Sequence, residues 1–298
     1  MLHSLSCYQF PCHKCNIIKI ITYFFVCCQF FQLHSKNILK VNSFSLASIY
    51  IHDNPPVTLE QNTAKVFGRD HFYKDHILLD GDSCIVDSGG ELVVRLFKSI
   101  VPDYLLEKLE SSSKRYKDAV LKAAQVGDCR GLHHSLKFRS YVEHGGSGRI
   151  WTVKSYPHCT GFLEEIREVG QFVSDLFSRV CLEVACHVAA LPEELKLWDA
   201  ISLMFWNLTN VVKTHVDSRD FEWSMVLPFQ HFSGGEVDLP YLNATIKAQR
   251  KDIYLIKSNK TFHNILASCN REAIVLTNHR CVVQQYCKID LINMYMRQ

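Results

Sequence analysis

Beyond residue 200 the chain is a series of short apolar runs separated by turn signals. The runs are rich in Ile, Val, Leu and Phe, and such runs are typical of β-strands. The predicted strands are residues 201–207, 224–228, 236–240, 253–256, 262–266, 273–277 and 281–283. Ser233-Gly234-Gly235 is a tight turn before the third strand. Seven or eight short strands with turns between them predict an antiparallel double sheet, a jelly roll.

Helical periodicity precedes these strands. Apolar residues recur at every third or fourth position over residues 162–188, which predicts one helix that packs by its apolar face. Val101-Pro102-Asp103 opens an earlier helix, because proline suits the first turn and aspartate suits the positive end of the helix dipole. A serine triplet at 111–113 predicts a break before a second helical piece over 114–124. Helices followed by strands predict an α+β fold, with the N-terminal helices packed on one face of the jelly roll.

Composition suggests where the domain begins. Residues 1–60 are predicted to be an N-terminal extension, poorly ordered or non-native. Residues 61–298 are predicted to be one domain, with helical support over 90–198 and the jelly-roll core over 200–290. The apolar run 20–31 is shorter than the about 20 residues that span a membrane. A signal or anchor segment, or a helix that packs on the domain, is the alternative, and no stable membrane association is expected.

The chain has 298 residues, of which 47% are hydrophobic and 21% charged, and this balance predicts a packed core rather than disorder. Its 13 cysteines have no regular spacing, which favours reduced thiols in an intracellular compartment. Cys12 and Cys15 have CxxC spacing, but no second ligand pair follows, so plain cysteines are favoured over a zinc site. A net charge of +3 neither indicates nor excludes a nucleic-acid partner.

The candidate chemistry is in the strand region. His215 and Asp217 are separated by one residue, so their side chains point the same way if the segment is extended. His263 follows in an apolar run, and Arg271 stands at the head of a predicted strand. Two imidazoles and a carboxylate form the facial triad of non-haem Fe(II) sites, and a guanidinium can grip a carboxylate through two hydrogen bonds. An H-x-D pair alone is weak evidence for a metal site. The same pair followed by His263 and Arg271 in predicted strands is stronger evidence.

This pattern resembles the Fe(II)- and 2-oxoglutarate-dependent dioxygenases, and within them the TET/JBP-like branch found in fungal genomes beside transposons. The residues that carry the resemblance are 205–207 (Phe-Trp-Asn), 213–220 (Lys-Thr-His-Val-Asp-Ser-Arg-Asp), Trp223, Pro228, 232–240 (Phe-Ser-Gly-Gly-Glu-Val-Asp-Leu-Pro), 251–253 (Lys-Asp-Ile), Ser258, His263 and Arg271. Residues 90–200 agree only in the order of their helices. The resemblance implies a double-stranded β-helix core.

The resemblance also implies the roles of the site residues. His215, Asp217 and His263 are the expected Fe(II) ligands and catalytic centre. Arg271 is expected to pair with the distal carboxylate of 2-oxoglutarate, whose keto-acid end chelates the metal. Asn207 is polar on an apolar strand, which predicts a cosubstrate-pocket residue, and a hydrogen bond within the sheet is its alternative.

Two positions depart from the family pattern. Asn270, before Arg271, and Lys251, before Asp252, stand where glycine is common, which puts the local turns in question. Lys257 and Arg280 are therefore the alternative partners for the cosubstrate carboxylate.

The implied activity couples oxidative decarboxylation of 2-oxoglutarate by O2 to hydroxylation of a C–H bond. The TET/JBP resemblance implies the methyl group of a modified base in nucleic acid as the substrate, and hence the nucleus as the location. One alternative is a protein or small-molecule hydroxylase with the same iron site. The other is a non-catalytic jelly-roll binding module.

An enzyme that acts on a base must extrude it into the pocket, so a basic and aromatic rim is expected. Residues 127–157 form the stretch that offers one, predicted as an irregular loop, with a solvated surface insertion as the alternative. Eight Lys or Arg against four Asp or Glu occur over residues 107–139. The rim candidates are Arg130, His133, His134, Lys137, Arg139, Arg149 and Lys154.

Overall fold

A computed structural model describes residues 48–52, 76–87, 90–123, 125–128, 131–142, 150–153, 160–208 and 211–286. The predicted boundary at residue 60, the apolar run 20–31 and the Cys12–Cys15 pair lie outside these residues. Within the described part of the chain, no helix combines the length and the apolar character needed to cross a membrane.

Seventeen strands are described, and most belong to two facing sheets. They are β1 (Ser48–His52), β2 (Ile77–Leu79), β3 (Ser83–Asp87), β4 (Leu92–Phe97), β5 (Gln125–Asp128), β6 (Gly131–Val142), β7 (Ile150–Val153), β8 (Leu203–Leu208), β9 (Val212–His215), β10 (Ser224–Pro228), β11 (Ser233–Gly234), β12 (Val237–Leu239), β13 (Ala244–Ile246), β14 (Ile253–Ile256), β15 (His263–Ile265), β16 (Ser268–Cys269) and β17 (Glu272–Thr277). The larger sheet has ten strands in the order β1-β3-β4-β14-β10-β17-β8-β6-β5, with β7 also paired to β6. The smaller has the order β2-β13-β12-β15-β9, and β11 pairs with β16 as a separate ribbon.

Four helices connect the early strands to the jelly roll. They are α1 (Asp103–Ala123), α2 (Thr160–Glu165), α3 (Arg167–Val180) and α4 (Leu182–Ala189). Residues 280–286 are also helical. The apolar faces of α1 to α4 pack with one face of the ten-stranded sheet in a single buried cluster, which we call the helix-side core. The predicted α+β fold, with helices on one face of a double-stranded β-helix, is therefore confirmed.

The other face of the ten-stranded sheet packs against the five-stranded sheet, and we call that cluster the intersheet core. Alternation along each strand divides the residues between the two cores. On β10, Met225 and Leu227 lie in the helix-side core and Val226 lies in the intersheet core. On β14, Leu255 and Tyr254 divide in the same way. The apolar runs read from the sequence are thus continuous because both faces are covered.

The predicted break at residues 111–113 is wrong, because α1 runs through all three serines. The hydroxyls of two of them have partners outside the helix. Ser112 Oγ donates to Glu165 Oε2 at 2.7 Å, and Ser113 Oγ donates to Glu272 Oε2 at 3.0 Å, whereas Ser111 Oγ donates to the carbonyl of Lys108 in the same helix. Serine disfavours a helix when its hydroxyl competes for nearby backbone groups, and tertiary partners remove that competition for Ser112 and Ser113.

The predicted helix over 162–188 is in fact three helices with continuous periodicity. Ile166 separates α2 from α3, and Cys181, with φ −123° and ψ 52°, separates α3 from α4. Both residues are buried in the helix-side core. Apolar spacing alone therefore does not reveal the breaks.

Two further sequence predictions are wrong. The predicted loop at 127–157 contains β5, β6 and β7, and β6 is a twelve-residue strand inside the larger sheet. The predicted strand at 281–283 is helical, with Val282 and Val283 fully buried in the helix-side core. Adjacent valines favour a strand by propensity, but burial against the helices decides their conformation here.

Candidate metal centre and adjoining pocket

The two histidines predicted as ligands face each other across a pair of antiparallel strands. His215 ends β9 and His263 begins β15, and the two residues are register partners. Their ring centroids are 4.3 Å apart. The 48-residue separation in sequence is thus closed by the pairing of two short strands of the smaller sheet.

Each imidazole is held by a backbone carbonyl two residues before it. Nδ1 of His215 lies 2.8 Å from the carbonyl oxygen of Lys213, and Nδ1 of His263 lies 2.9 Å from that of Thr261. A carbonyl oxygen can only accept, so each Nδ1 carries the hydrogen and each Nε2 keeps its lone pair. Metal-binding histidines are commonly oriented in this way by a partner on the other ring nitrogen.

Asp217 completes the group from the turn after β9. Its amide donates to the carbonyl of Ser258 at 3.0 Å. Its Oδ1 lies 3.6 Å from Nε2 of His215, and its Oδ2 lies 3.5 Å from Nε2 of His263. One ligand atom from each side chain lies within 4.8 Å of the others, and this is the one such cluster among the described residues.

The cluster fits a single metal ion. Ligands about 2.0–2.2 Å from a first-row metal are separated by distances of this size. Two imidazoles with one carboxylate are the donor set of non-haem Fe(II) sites with open coordination positions. The structure therefore brings His215, Asp217 and His263 together, and their role as iron ligands stays a prediction.

The electrostatics of this cluster favour a cation. Burial alone would raise the pKa of Asp217, but hydrogen bonds and positive charge from His215 and His263 hold that pKa well below its ordinary value. Burial would lower the pKa of His263, and the Asp217 carboxylate raises it above its ordinary value. A carboxylate that stays ionised at neutral pH is ready to bind a metal, which would supply the positive charge that favours this ionised form.

Arg271 lies in the same cavity as this cluster, at the head of β17. Its side chain is buried, Nη2 donates to the hydroxyl of Tyr254 at 3.2 Å, and Nε has no partner among the described residues. A buried guanidinium N–H without a partner is costly unless a ligand satisfies it. A carboxylate is the natural partner, since a guanidinium binds it through two parallel hydrogen bonds.

The alternative carboxylate partners point elsewhere. Lys257 is buried, but its ammonium forms ion pairs with Glu91 and Glu222 and lies 5.4 Å from the ring centroid of Trp223. Neither Lys257 nor Arg280 is among the residues that line the cavity. The geometry therefore favours Arg271 for this role.

The two departures from the family pattern leave the turns intact. Asn270 has φ 58° and Lys251 has φ 77°, so both occupy the left-handed conformation for which glycine is usual. Asparagine tolerates this conformation well. The Lys251 turn is secured by the Asp252 carboxylate, which accepts from the amides of Gln249 at 2.6 Å and Ser99 at 2.8 Å.

Asn207 lines the cavity from β8, next to its register partner Ser135 on β6. The structure thus brings Asn207 to the same cavity as Arg271, and its role as a pocket residue stays a prediction.

Two cavity residues were missed as functional candidates, Tyr254 and Asp220. Asp220 is buried, and its Oδ2 accepts hydrogen bonds from Ser224 and, at 2.7 Å, from Ser258. Burial and the charge of Asp217 raise the pKa of Asp220 to about 7. The signal for Asp220 was its place three residues after Asp217. Tyr254 gave no signal, because it lies within the apolar run of β14.

The predicted rim is described only in part. Lys137 lies on β6, half-buried, with Nζ 5.9 Å from the ring centroid of the cavity residue Phe205. The Arg139 backbone is in β6, but the side chains of Arg130, His133, His134, Arg139, Arg149 and Lys154 lie outside the described residues. Alternation along β6 places Lys137 on the opposite face of the sheet from Leu136 and Phe138, which face the helix-side core.

Comparison with known proteins gives a likeness in fold. No protein-family model matches the chain, and no curated protein matches it in sequence. The structure of NgTET1 in complex with 5mC DNA matches with a TM-score of 0.61 at 17% identity, over 91% of this chain and 92% of that chain. This match agrees with the family resemblance of the sequence, and it confirms the double-stranded β-helix fold.

Two further solved structures match less closely. An oxidoreductase of the 2OG-Fe(II) oxygenase family from Burkholderia pseudomallei has a TM-score of 0.38 and 15% identity over 63% of this chain and 84% of that chain. A prolyl hydroxylase from Trichoplax adhaerens, in complex with a hypoxia inducible factor peptide fragment, has a TM-score of 0.42 and 11% identity over 63% and 83%.

Proposed function

We propose that this protein is an Fe(II)- and 2-oxoglutarate-dependent dioxygenase that oxidises a C–H bond. One observation carries the proposal: the His215, Asp217 and His263 cluster shares a cavity with the buried guanidinium of Arg271. A metal that binds the keto-acid end and a cation that binds the distal carboxylate are the two anchors that 2-oxoglutarate needs. The unpartnered arginine N–H beside such a cluster favours an anionic ligand bound in the cavity.

Each residue has a defined task in this proposal. His215 and His263 donate through Nε2, with Nδ1 held by backbone carbonyls, and Asp217 supplies the single negative charge. Arg271 binds the distal carboxylate, and the Tyr254 hydroxyl beside it is a further donor. Bound Fe(II) supplies the activation of O2, coupled to conversion of 2-oxoglutarate to succinate and CO2 with transfer of one oxygen atom to the substrate. The apolar walls at Val226, Ile256 and other lining residues exclude water.

For the substrate, we propose the methyl group of a modified base in nucleic acid. The amide of Asn207 and the hydroxyl of Ser135 lie side by side on the cavity wall, where they could meet the polar edge of an extruded base. Lys137 lies next to Phe205 on the same wall and could contact a phosphate. The fold match to a structure in complex with 5mC DNA supports this choice of substrate.

The test is succinate release after anaerobic purification and loading with Fe(II). The reaction is started with O2 and 2-oxoglutarate in the presence of duplex DNA carrying 5-methylcytosine. Unmethylated DNA of the same sequence is the control substrate, and Asp217→Ala is the control protein. The proposal predicts succinate in excess of the control and an oxidised methyl group detected by mass spectrometry of the digested DNA.

The possible results separate the candidate functions. Succinate that forms equally with and without DNA, and that increases with a peptide or small molecule, would replace the nucleic-acid substrate while keeping the oxygenase. Absence of both 2-oxoglutarate binding and succinate in the Fe(II)-loaded protein would leave the non-catalytic binding module.

A further inference from the structure

A short segment of the chain packs against the Arg271 side chain. We call this segment, residues 232–235, the strap. Its β11 pairs with β16, so that Ser233 lies opposite Cys269 and Gly234 lies opposite Ser268. The strap and the chain that leads into Arg271 are therefore two strands of one ribbon, separate from both large sheets.

Gly235 makes the closest approach of the strap to Arg271. It has φ +75°, and a Cβ at this position would lie 2.7 Å from Cδ of Arg271 and 2.9 Å from Cβ of Ser268. Atoms this close overlap, so any side chain at 235 must move its neighbours. Glycine is required here both by its conformation and by the space that Arg271 occupies.

The guanidinium is contacted from two directions. On the strap side, its central carbon lies 5.9 Å from the ring centroid of Phe232, which is within cation–π range. Elsewhere Nη2 donates to the hydroxyl of Tyr254, which lines the cavity. Nε, the donor nearest Cδ, remains buried without a partner among the described residues. The contacts fix the position of Arg271 and leave a donor for a ligand.

We propose that the strap positions Arg271 for the distal carboxylate of the cosubstrate, with Gly235 and Phe232 as the positioning residues. This inference rests on the proposed function. A short dicarboxylate that binds at two points requires a fixed distance between the guanidinium and the metal ligands. A displacement of Arg271 therefore weakens cosubstrate binding and leaves metal binding unaffected. The metal ligands belong to other elements than the strap, since His215 ends β9, Asp217 lies in the turn after it and His263 begins β15.

The decisive variant is Gly235→Ala, with Mn(II) as a redox-stable probe for the metal. Isothermal titration calorimetry measures the Kd of Mn(II), and then the Kd of 2-oxoglutarate for the Mn(II)-loaded protein. We expect the Kd of 2-oxoglutarate to rise about tenfold to a hundredfold, the effect of misplacing a binding group by about 1 Å. The Kd of Mn(II) should equal that of the wild type.

The matched control is Gly90→Ala. Gly90 has a similar backbone conformation, with φ +79°, but a Cβ there would have no heavy atom within 4 Å. This variant introduces a similar conformational strain without a contact to Arg271. It should bind both Mn(II) and 2-oxoglutarate as the wild type does.

A second variant, Phe232→Leu, keeps an apolar side chain in the strap and removes the aromatic face. The cation–π contribution of about 0.5–1 kcal/mol predicts a Kd for 2-oxoglutarate about twofold to fivefold higher. If Gly235→Ala fails to fold, this variant decides the question. Wild-type affinity in Phe232→Leu and in any folded Gly235→Ala protein would overturn the role of the strap. A wild-type protein that binds Mn(II) but no 2-oxoglutarate would instead overturn the proposed function.

Discussion

The two faces of the ten-stranded sheet are built from the same strands but differ in kind. On β8, Met204 and Trp206 point into the helix-side core, and Phe205 and Asn207 point into the cavity. Glu272, a buried carboxylate on the helix side, is paired with three donors. It accepts from Ser113, Trp206 and Lys117.

The cavity side keeps a polar group that the protein itself does not satisfy, because Nε of Arg271 is buried without a partner among the described residues. Groups of this kind lower stability, and they persist where a ligand or substrate provides the missing partner. The helix side therefore supplies stability and the cavity side supplies chemistry, and substitutions on the two faces should separate these properties.

The largest expected effect is on the helix side. Trp206 is fully buried, stacks on Phe162 with ring centroids 4.4 Å apart, and donates to Glu272. Trp206→Ala should lower the free energy of unfolding by about 3–5 kcal/mol, as for other buried aromatic residues. Urea denaturation measures this change. Mn(II) affinity of the folded fraction should be unchanged, and a loss of metal affinity without destabilisation would contradict the division between the faces.

A pH dependence should come from His279, a buried histidine just after β17. Burial and the nearby charges of Arg219 and Lys137 lower the pKa of His279 to about 4. The unfolded chain therefore binds this proton first, with a pKa of about 6.5, and stability falls as the pH drops from there toward 4. His279→Gln should remove this loss, which reaches about 3 kcal/mol at most at pH 4.

Denaturation of the wild type and His279→Gln at several pH values measures this difference. The difference is the useful quantity, because Asp220 has a raised folded-state pKa of about 7 and contributes the opposite slope. Parallel curves for the two proteins between pH 4 and 6.5 would show that His279 is not buried as a neutral imidazole.

The metal cluster should contribute stability only when metal is present. Asp217→Ala should abolish stabilisation by Mn(II), which amounts to about 2.7 kcal/mol for the wild type at a metal concentration of 100 Kd. Thermal unfolding with and without Mn(II) measures this effect. The metal-free variant should be at least as stable as the metal-free wild type if the cavity polar groups are retained for function. Equal Mn(II) stabilisation of both proteins would exclude Asp217 as a ligand.

Arg271→Lys tests the cosubstrate end of the cavity. Lysine keeps the charge but loses the two parallel hydrogen bonds, so the Kd of 2-oxoglutarate should rise about tenfold, or about 1.4 kcal/mol. Calorimetry of the Mn(II)-loaded protein measures it. Arg280→Lys is the matched control, and a weaker cosubstrate affinity in that variant instead would exchange the roles of the two arginines.

The smallest effect is expected at the rim of the cavity side. If Lys137 neutralises one phosphate, Lys137→Ala should reduce the slope of log affinity against log salt by about 0.9. Fluorescence anisotropy with labelled duplex DNA over a range of salt concentrations measures this slope. Lys213→Ala, an exposed lysine on β9, is the comparison variant. An unchanged slope for Lys137→Ala would remove Lys137 from the DNA contact.

The sequence predicted features that depend on short-range pattern and missed those that depend on distant partners. The strands of the jelly roll were found because alternation and turn signals are local. The helix-side stripe was found for the same reason. The serine triplet and the valines at 282–283 misled because their conformation depends on Glu165, Glu272 and the helix-side core. In β6 an alternation typical of a strand was present, since Leu136 and Phe138 alternate with Ser135 and Lys137. The surrounding glycines and charges favoured a loop prediction instead.

The candidate site divides in the same way. The resemblance supplied His215, Asp217, His263 and Arg271, and the structure brings all four to one cavity. The sequence showed the strap as a turn within the resemblance but not its role beside Arg271, because that contact spans 36 residues and depends on the absence of a side chain at Gly235. A missing atom is not visible in a sequence until the neighbour that occupies its space is known.

The position of β9 has a consequence for the metal-free protein. Among the described strands, β9 is an edge of the smaller sheet and pairs with β15 alone, through two register partners. Edge strands present unpaired amides that can recruit another chain, and an exposed charge such as Lys213 discourages this. A metal held between His215 and His263 would tie the end of β9 to its neighbour. The bound metal would therefore also reduce self-association through this edge. The metal-loaded protein should stay monodisperse longer in storage than the protein stripped of metal.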